Sequence, residues 1–156
     1  MDPQTSVAAE PAFAHRDLIY DWNDMGETLP PPLRPVQFDD ETLRDGLQAP
    51  SVRTPGIDEK IRLLHLMNDL GIDTANLGLP GAGANHVEHI TRLATEIRDQ
   101  KLKIAANAAC RTMLADVEPL VKIVDAVGVP IEACTFIGSS PIRRLVEEWS
   151  IDKMLK

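Results

Sequence analysis

The chain reads as an α/β protein built on a parallel sheet, and three observations predict this. Short apolar runs alternate along residues 36–156 with longer segments of helical period. Strands separated by helices of that length pair in parallel through right-handed crossovers. Lys103–Ala109 is almost wholly small or apolar, as a strand covered on both faces should be. The third observation is chemical: Arg44, Asp45, Gln48, Asn76, Arg111, Ser139 and Ser140 all fall at strand C-termini or just after them. Parallel sheets gather their reacting groups on that one rim.

Residues 1–35 stand apart from this pattern. They hold Pro3, Pro11, Pro30, Pro31, Pro32 and Pro35 and no sustained period. Three consecutive prolines favour an extended polyproline path over helix, so a flexible N-terminal arm is expected over 1–35, with one domain over 36–156. Val36–Glu41 is the first expected strand. Ile57, Ile61, Leu64 and Met67 then recur at helical spacing, Asp58 and Glu59 suit the first turn, and Gly71 suits the stop. Ile72–Leu77 is the second strand.

After Gly81-Ala82-Gly83, the stripe Val87, Ile90, Leu93, Ala94 and Ile97 marks a second helix. The glycines around Gly78, Gly81 and Gly83 lack the order of a phosphate loop and read instead as a bend that approaches a ligand. Lys103–Ala109 is the third strand. Met113 to Val124 forms a third helix that Pro119 is expected to kink or divide. Val129–Ile137 is the fourth strand. Ser140 as N-cap and Pro141 at the first helical position open a last helix carrying Ile142, Leu145, Val146 and Trp149.

The segment richest in chemistry is Phe38-Asp39-Asp40-Glu41-Thr42-Leu43-Arg44-Asp45-Gly46-Leu47-Gln48. A strand here delivers carboxylates and a guanidinium to its C-terminal end, and Gly46 lets neighbouring side chains swing into one loop. Mixed charges at a strand end ordinarily mark a solvated turn. The string Asp40–Gln48, however, resembles the first-strand signature D-x-T-L-R-D-G-x-Q of the DRE-TIM metallolyases. That family includes 2-isopropylmalate, homocitrate and citramalate synthases and 3-hydroxy-3-methylglutaryl-CoA lyase. Gly71–Pro80 is similar to its second-strand segment G-(V/I)-D-x-(I/M)-E-V-G-F-P. Thr135–Pro141 is similar to the fourth-strand segment T-F-I-A-T-S-P of the isopropylmalate synthases.

The resemblance implies a partial (β/α)8 TIM barrel, of which the chain holds about the first four strand–helix units. A complete barrel typically takes about 250 residues, against 156 here. The chain is accordingly expected to be the N-terminal half of a larger enzyme, a truncated gene product or a fragment. The resemblance also implies roles. Asp45 would be a ligand of a divalent metal (Mg2+, Mn2+ or Zn2+), and Arg44 would stabilise enolate or oxyanion charge. Gln48 would lie near a 2-oxo acid, and Arg111 would help bind the substrate carboxylate. Asn76, Ser139 and Ser140 join them as substrate-binding candidates at the strand ends. Two positions depart from the family's pattern. The second-strand glutamate is Asn76, which removes a negative charge from the pocket, and the fourth-strand histidine is Cys134.

The implied reaction is an acyltransferase condensation of acetyl-CoA with a 2-oxo acid. The alternatives are a carbon–carbon lyase of the hydroxymethylglutaryl-CoA type and a non-catalytic half-barrel. The last would leave strand edges open and so should be oligomeric, pairing with itself as a dimer or with a missing C-terminal half.

A net charge of −8 with scattered basic residues argues against a nucleic-acid partner. No run approaches the roughly 18 apolar residues of a membrane span, and the first residues lack a secretory pattern. A cytoplasmic protein is expected. Cys110 and Cys134, without C-x-x-C spacing, read as reduced core residues. His86 and His89 read as a solvated outer helix face, and His65 as a boundary residue.

Overall fold

In the computed structural model, which describes residues 34–156, the unit Gln37–Lys156 is built on a four-stranded parallel sheet. Strands β1 (Asp39–Asp40), β2 (Thr74–Asn76), β3 (Ala105–Arg111) and β4 (Ile131–Phe136) lie in the order β1-β2-β3-β4. Between them run α1 (Ile57–Leu70), α2 (Ala84–Gln100) and α3 (Leu114–Val127), with α4 (Pro141–Val146) and α5 (Ile151–Met154) after β4. Neighbours in sequence are neighbours in the sheet, each joined through a helix, which is the wiring of one half of a (β/α)8 barrel. The arm expected over residues 1–35 lies outside the described residues, apart from Arg34 and Pro35.

Register decides which side chains meet. Asp39 pairs with Thr74, Asn76 with Asn107, and Ala109 with Cys134. Because strand neighbours alternate in direction, one face carries Asp39, Thr74, Asn76, Asn107, Glu132 and Cys134. The other face carries Ala75, Ala106 and Ala108. The second face is the dry one. Ala75 and Ala106 pack with Leu64 and Met67 of α1, Ile90, Leu93, Ala94 and Ile97 of α2, and Ile123 and Val127 of α3. Leu64, Ile90 and Leu93 are fully buried, and each such side chain contributes about 1.5–3 kcal/mol relative to exposure.

Helix α1 starts and stops where its sequence predicts. The Glu59 carboxylate accepts the Gly56 N–H at 2.8 Å, which satisfies one of the orphan donors of the first turn. Gly71 ends the helix at φ 84°, the left-handed region that glycine enters without steric cost. Ser140 caps α4, its hydroxyl accepting the Arg143 N–H at 3.2 Å.

Several expectations need correction. The first and second strands are shorter than the apolar runs that mark them, and the third extends two residues further, so Arg111 ends β3 instead of following it. Pro119 does not divide α3, which runs unbroken from Leu114 to Val127. It removes one internal hydrogen bond, while buried Leu120 and Ile123 on the following turn hold the helix to the sheet. The last helix stops at Val146, leaving Trp149 outside it and Ile142, Leu145 and Val146 exposed. His89 is half-buried, its Nδ1 lying 3.1 Å from Lys60 Nζ, and His65 Nε2 is 2.7 Å from Glu96 Oε1. No helix among the described residues is long and apolar enough to cross a membrane.

Candidate functional site

The loop after β1 is a tight turn organised by one carbonyl. Glu41 O accepts N–H groups from Arg44 at 3.1 Å and Gly46 at 3.0 Å, and Asp40 Oδ1 accepts that of Thr42 at 2.8 Å. Buried Leu43 pins the turn to the core. The short 3-10 segment Asp45–Gln48 follows. With the backbone closed this way, Glu41 and Arg44 lie along one side of the turn and reach the wet face of the sheet.

There they form a connected set. Glu41 Oε2 stands 2.6 Å from Arg44 Nη2, and Arg44 Nη1 donates to Asp45 Oδ1 at 3.0 Å. Glu41 Oε1 accepts Asn76 Nδ2 at 3.0 Å. Asn76 is itself buried, its Oδ1 accepting the Gly78 N–H at 3.1 Å. That bond fixes the amide with its donor end toward Glu41. One register position along, Asn107 Nδ2 and Thr74 Oγ1 both donate to Asp39 Oδ1, at 2.7 and 2.6 Å.

Glu41, Arg44, Asn76, Ala109, Cys134, Thr135 and Phe136 line a cavity of about 250 Å³ at this mouth. Among the described residues, Arg44 Nε at the mouth and Asn107 Oδ1 deeper on the same face are buried without a hydrogen-bond partner. Glu41 Oε2 is close enough to Arg44 for an ion pair yet not aligned for a hydrogen bond. Buried groups are ordinarily bonded, so the Arg44 Nε–H is an unspent donor at the mouth. The Cys134 thiol is pushed up from its ordinary pKa, chiefly by burial and further by the negative charges of Glu132, Asp39 and Glu41, against the lowering influence of Arg44.

The seven residues singled out by sequence do not all converge. Arg44 and Asn76 share the inner cavity. Arg44 and Gln48 share a second cavity of about 250 Å³ beside it, with Lys60, Thr54 and His86 on its wall. Asp45 is exposed and bonded to Arg44. Arg111 faces a separate cavity of about 790 Å³ on the α4–α5 side, with Phe136, Trp149 and Lys153. Two of its nitrogens are taken: Nε and Nη2 each donate to the buried carboxylate of Asp116 at 2.7 Å. Ser139 and Ser140 line neither cavity at the mouth, and the Ser140 hydroxyl is spent on capping.

Two expectations about charge change. Asn76 is neutral, but a negative charge is present in the pocket all the same, carried by Glu41 just after β1. Cys134 is also only half a core residue, since its thiol opens on the cavity, whereas Cys110 is fully buried. The sequence reading missed Glu41, Asn107 and Lys60. Strand parity would have found the first two, since Glu41 shares a face with Asp39 and Asn107 lies level with Asn76. Lys60 gave no signal in a helix with several charged residues.

A family model described as HMGL-like matches residues 35–148. The 2-isopropylmalate synthase 2 of Caldanaerobacter subterraneus subsp. tengcongensis is 30% identical over 122 residues, covering 78% of this chain and 30% of that protein. The 2-isopropylmalate synthase of Nitratidesulfovibrio vulgaris is 30% identical over 107 residues, covering 69% of this chain and 20% of its own length. That of Lactococcus lactis subsp. cremoris is 28% identical over 125 residues, covering 80% and 23% respectively. The chain thus spans less than a third of the length of these relatives.

Proposed function

The chain belongs to the HMGL-like family, and from that membership we propose that its strand ends form part of an active site for acyl transfer of the Claisen type. In that reaction an acyl thioester such as acetyl-CoA loses an α-proton to a base. The resulting carbanion adds to the carbonyl carbon of a 2-oxo acid, forming a carbon–carbon bond while the carbonyl oxygen takes up the negative charge and then a proton. Water then cleaves the thioester, releasing coenzyme A and a 2-hydroxy diacid.

The observation that carries this reading is the seating of Arg44. Its guanidinium is held in place by Glu41 and Asp45 at the C-terminal mouth of a parallel sheet, while its buried Nε–H has no partner among the described residues. A fixed cation with a spare donor is what a developing oxyanion requires, and removing one such donor typically costs about 10²–10³ in rate. Gln48, on the adjoining cavity, is placed to contact the same ligand. Asn76 acts through Glu41 and is a positioning residue. Arg111, tied to Asp116, keeps one terminal nitrogen for a substrate carboxylate.

A divalent cation supplies carbonyl polarisation in such chemistry when bound. The described residues do not make a cation centre by themselves: no three His, Cys, Asp or Glu side chains converge among them. Within the proposal Asp45 contributes one oxygen ligand, and every step above is assigned without the ion. The reading favours a synthase over a lyase because the relatives carry that name and Thr135–Pro141 matches it. Exposed Phe136, Ile142, Leu145 and Val146 favour a second reading, a half-barrel completed by a partner.

The test is release of coenzyme A from acetyl-CoA with a panel of 2-oxo acids and Mg2+ or Mn2+, using this chain and any longer product of its gene. We expect Asp45→Ala and Arg44→Ala to abolish release, and Glu118→Ala, on an exposed helix face, to leave it unchanged. Equal loss in all three, or in none, overturns the assignment. Sedimentation of the chain alone examines the second reading, which requires a dimer or larger.

A further inference from the structure

The cavity of about 250 Å³ between the β1 turn, α1 and the start of α2 has the opposite electrical character to the one beside it. Lys60, His86, Gln48, Thr54 and Arg44 supply every polar side chain on its wall, and none of its lining residues is acidic. The Arg44 charge is already matched by Glu41 and Asp45. The charge that remains is that of Lys60.

Lys60 is only 5% exposed. Its ammonium carries three donors, and among the described residues its one hydrogen-bond partner is His89 Nδ1 at 3.1 Å. That partner brings no negative charge. Burial first, and then the neighbouring Lys60, lower the His89 pKa, which keeps the ring neutral and its Nδ1 free to accept. A lysine this deep is ordinarily paired with a carboxylate, and burial is the one influence acting on the Lys60 pKa. A second element adds to the field. Helix α2 begins at Ala84 with no acidic residue in its first turn and no side-chain cap. Ala82 and His86, on either side of that start, both stand on the cavity wall, so the partial positive charge of a 17-residue helix reinforces Lys60.

We propose that this cavity is a phosphate-group site, with Lys60 as its principal cation and His86, Gln48, Thr54 and the α2 N-terminus around it. Donors arriving from three separate elements call for several acceptor oxygens pointing in different directions. A tetrahedral phosphate offers them, whereas a planar carboxylate offers two oxygens on one edge. The site is independent of the acyl-transfer reading, in which neither Lys60 nor His86 has a part. Its phosphate is either free or the end of a phosphomonoester, two sources that one experiment separates.

That experiment is an NMR titration of the intact chain at constant ionic strength, following the backbone amides of Gln48 and of Ala84 to His86. Inorganic phosphate, glycerol 1-phosphate and acetate are the probes. Phosphate or its monoester should give saturable shifts with a Kd at or below about 1 mM, and acetate should bind at least about tenfold more weakly. Loss of a charged hydrogen-bond donor typically weakens binding about tenfold or more, so Lys60→Met should raise the Kd by at least that factor. His86→Glu, which sets a carboxylate on the wall at an exposed position, should raise it similarly, while Lys103→Met, exposed elsewhere, should not. Tighter binding of the monoester supports the proposal and names the ester as the source; tighter binding of inorganic phosphate supports it and names the free anion. Equal affinity in Lys60→Met and the unaltered chain overturns the proposal, and if Lys60→Met does not fold, equal affinity in His86→Glu does so instead. Acetate binding as tightly as phosphate overturns the assignment of the ligand. Shifts that fail to saturate with any probe mean an adventitious ion only. Failure of coenzyme A release, with phosphate binding retained, sinks the acyl-transfer reading and leaves this site standing.

Discussion

Gly81 lies in the loop after β2, and a Cβ built on it would run into the carboxylate of Asp116. Two effects of Gly81→Ala oppose each other. The backbone at Gly81 lies outside the left-handed region, so alanine fits its dihedrals and reduces the entropy of the unfolded chain, a gain of about 0.4–1 kcal/mol. The added methyl must also displace Asp116, and overpacking of this kind costs about 1–3 kcal/mol. The upper part of that range applies because Asp116 is almost fully buried and cannot shift freely. It is held by Nε and Nη2 of Arg111 and by the Arg111 backbone N–H at 3.0 Å. The net expectation is a loss of about 2 kcal/mol, read as a fall in melting temperature of about 4–8 °C for a chain of this size. The control is the same substitution in Asp116→Ala. With the carboxylate gone only the entropic gain remains, so Gly81→Ala should be neutral or stabilising there. Scanning calorimetry of the four proteins completes the cycle. If Gly81→Ala lowers the melting temperature equally in both backgrounds, the contact with Asp116 is not what matters and the argument fails.

Arg111→Lys should lower the melting temperature as well as any activity, because a single ammonium cannot reproduce the two-pronged bond to Asp116. A variant that impairs turnover with unchanged thermal stability would instead make Arg111 purely a substrate contact. Lys60 is 5% exposed and its pKa is lowered by burial. The unfolded chain therefore binds more protons than the folded one between the depressed value and the ordinary lysine value. Stability should rise with pH across that alkaline window. Lys60→Met should remove the rise and be at least as stable at neutral pH, as measured by urea midpoints. A flat profile for the unaltered protein would contradict this. Glu59 is lowered to about 2 by its hydrogen bonds from Arg53 and from the Gly56 N–H. Its contribution to stability is thus present above the ordinary carboxylate range and fades as pH falls toward 2. Carboxyl-carbon NMR should find its midpoint near that value, and a midpoint above about 4 would refute the pairing.

Much of the fold was legible because period and punctuation agree. The spacing of Ile57, Ile61 and Leu64, with acidic residues ahead and Gly71 behind, gives α1 with its stop in place. The alanine-rich run gives β3, the strand covered most completely. The fourth unit was read less well, since Ile142, Leu145 and Val146 satisfy the helical period yet remain exposed. Apolar periodicity shows which face seeks cover, not whether cover is supplied. Within the site, the order Arg44-Asp45-Gly46 was visible as a string. The partnership of Glu41 with Asn76 was not, because it links residues 35 positions apart and depends on strand register. Arg111 shows a different limit: its position suggested a ligand, and the string alone did not reveal the buried carboxylate that ties two of its nitrogens.

The ties on the two sides of the rim have different strengths. On one side, Asp116 joins the end of β3 to the start of α3 and lies against the loop after β2, so those segments move as a block unless a sequestered carboxylate is stripped of its partners. On the other, the backbone of the turn carrying Arg44 and Asp45 is closed by short-range bonds, and the Arg44–Asp45 pair is open to solvent. Thermal opening therefore concentrates in the β1 turn. Amide protons around Arg44 to Gln48 should exchange well before those of Arg111 to Asp116, so a small molecule would enter past the first strand.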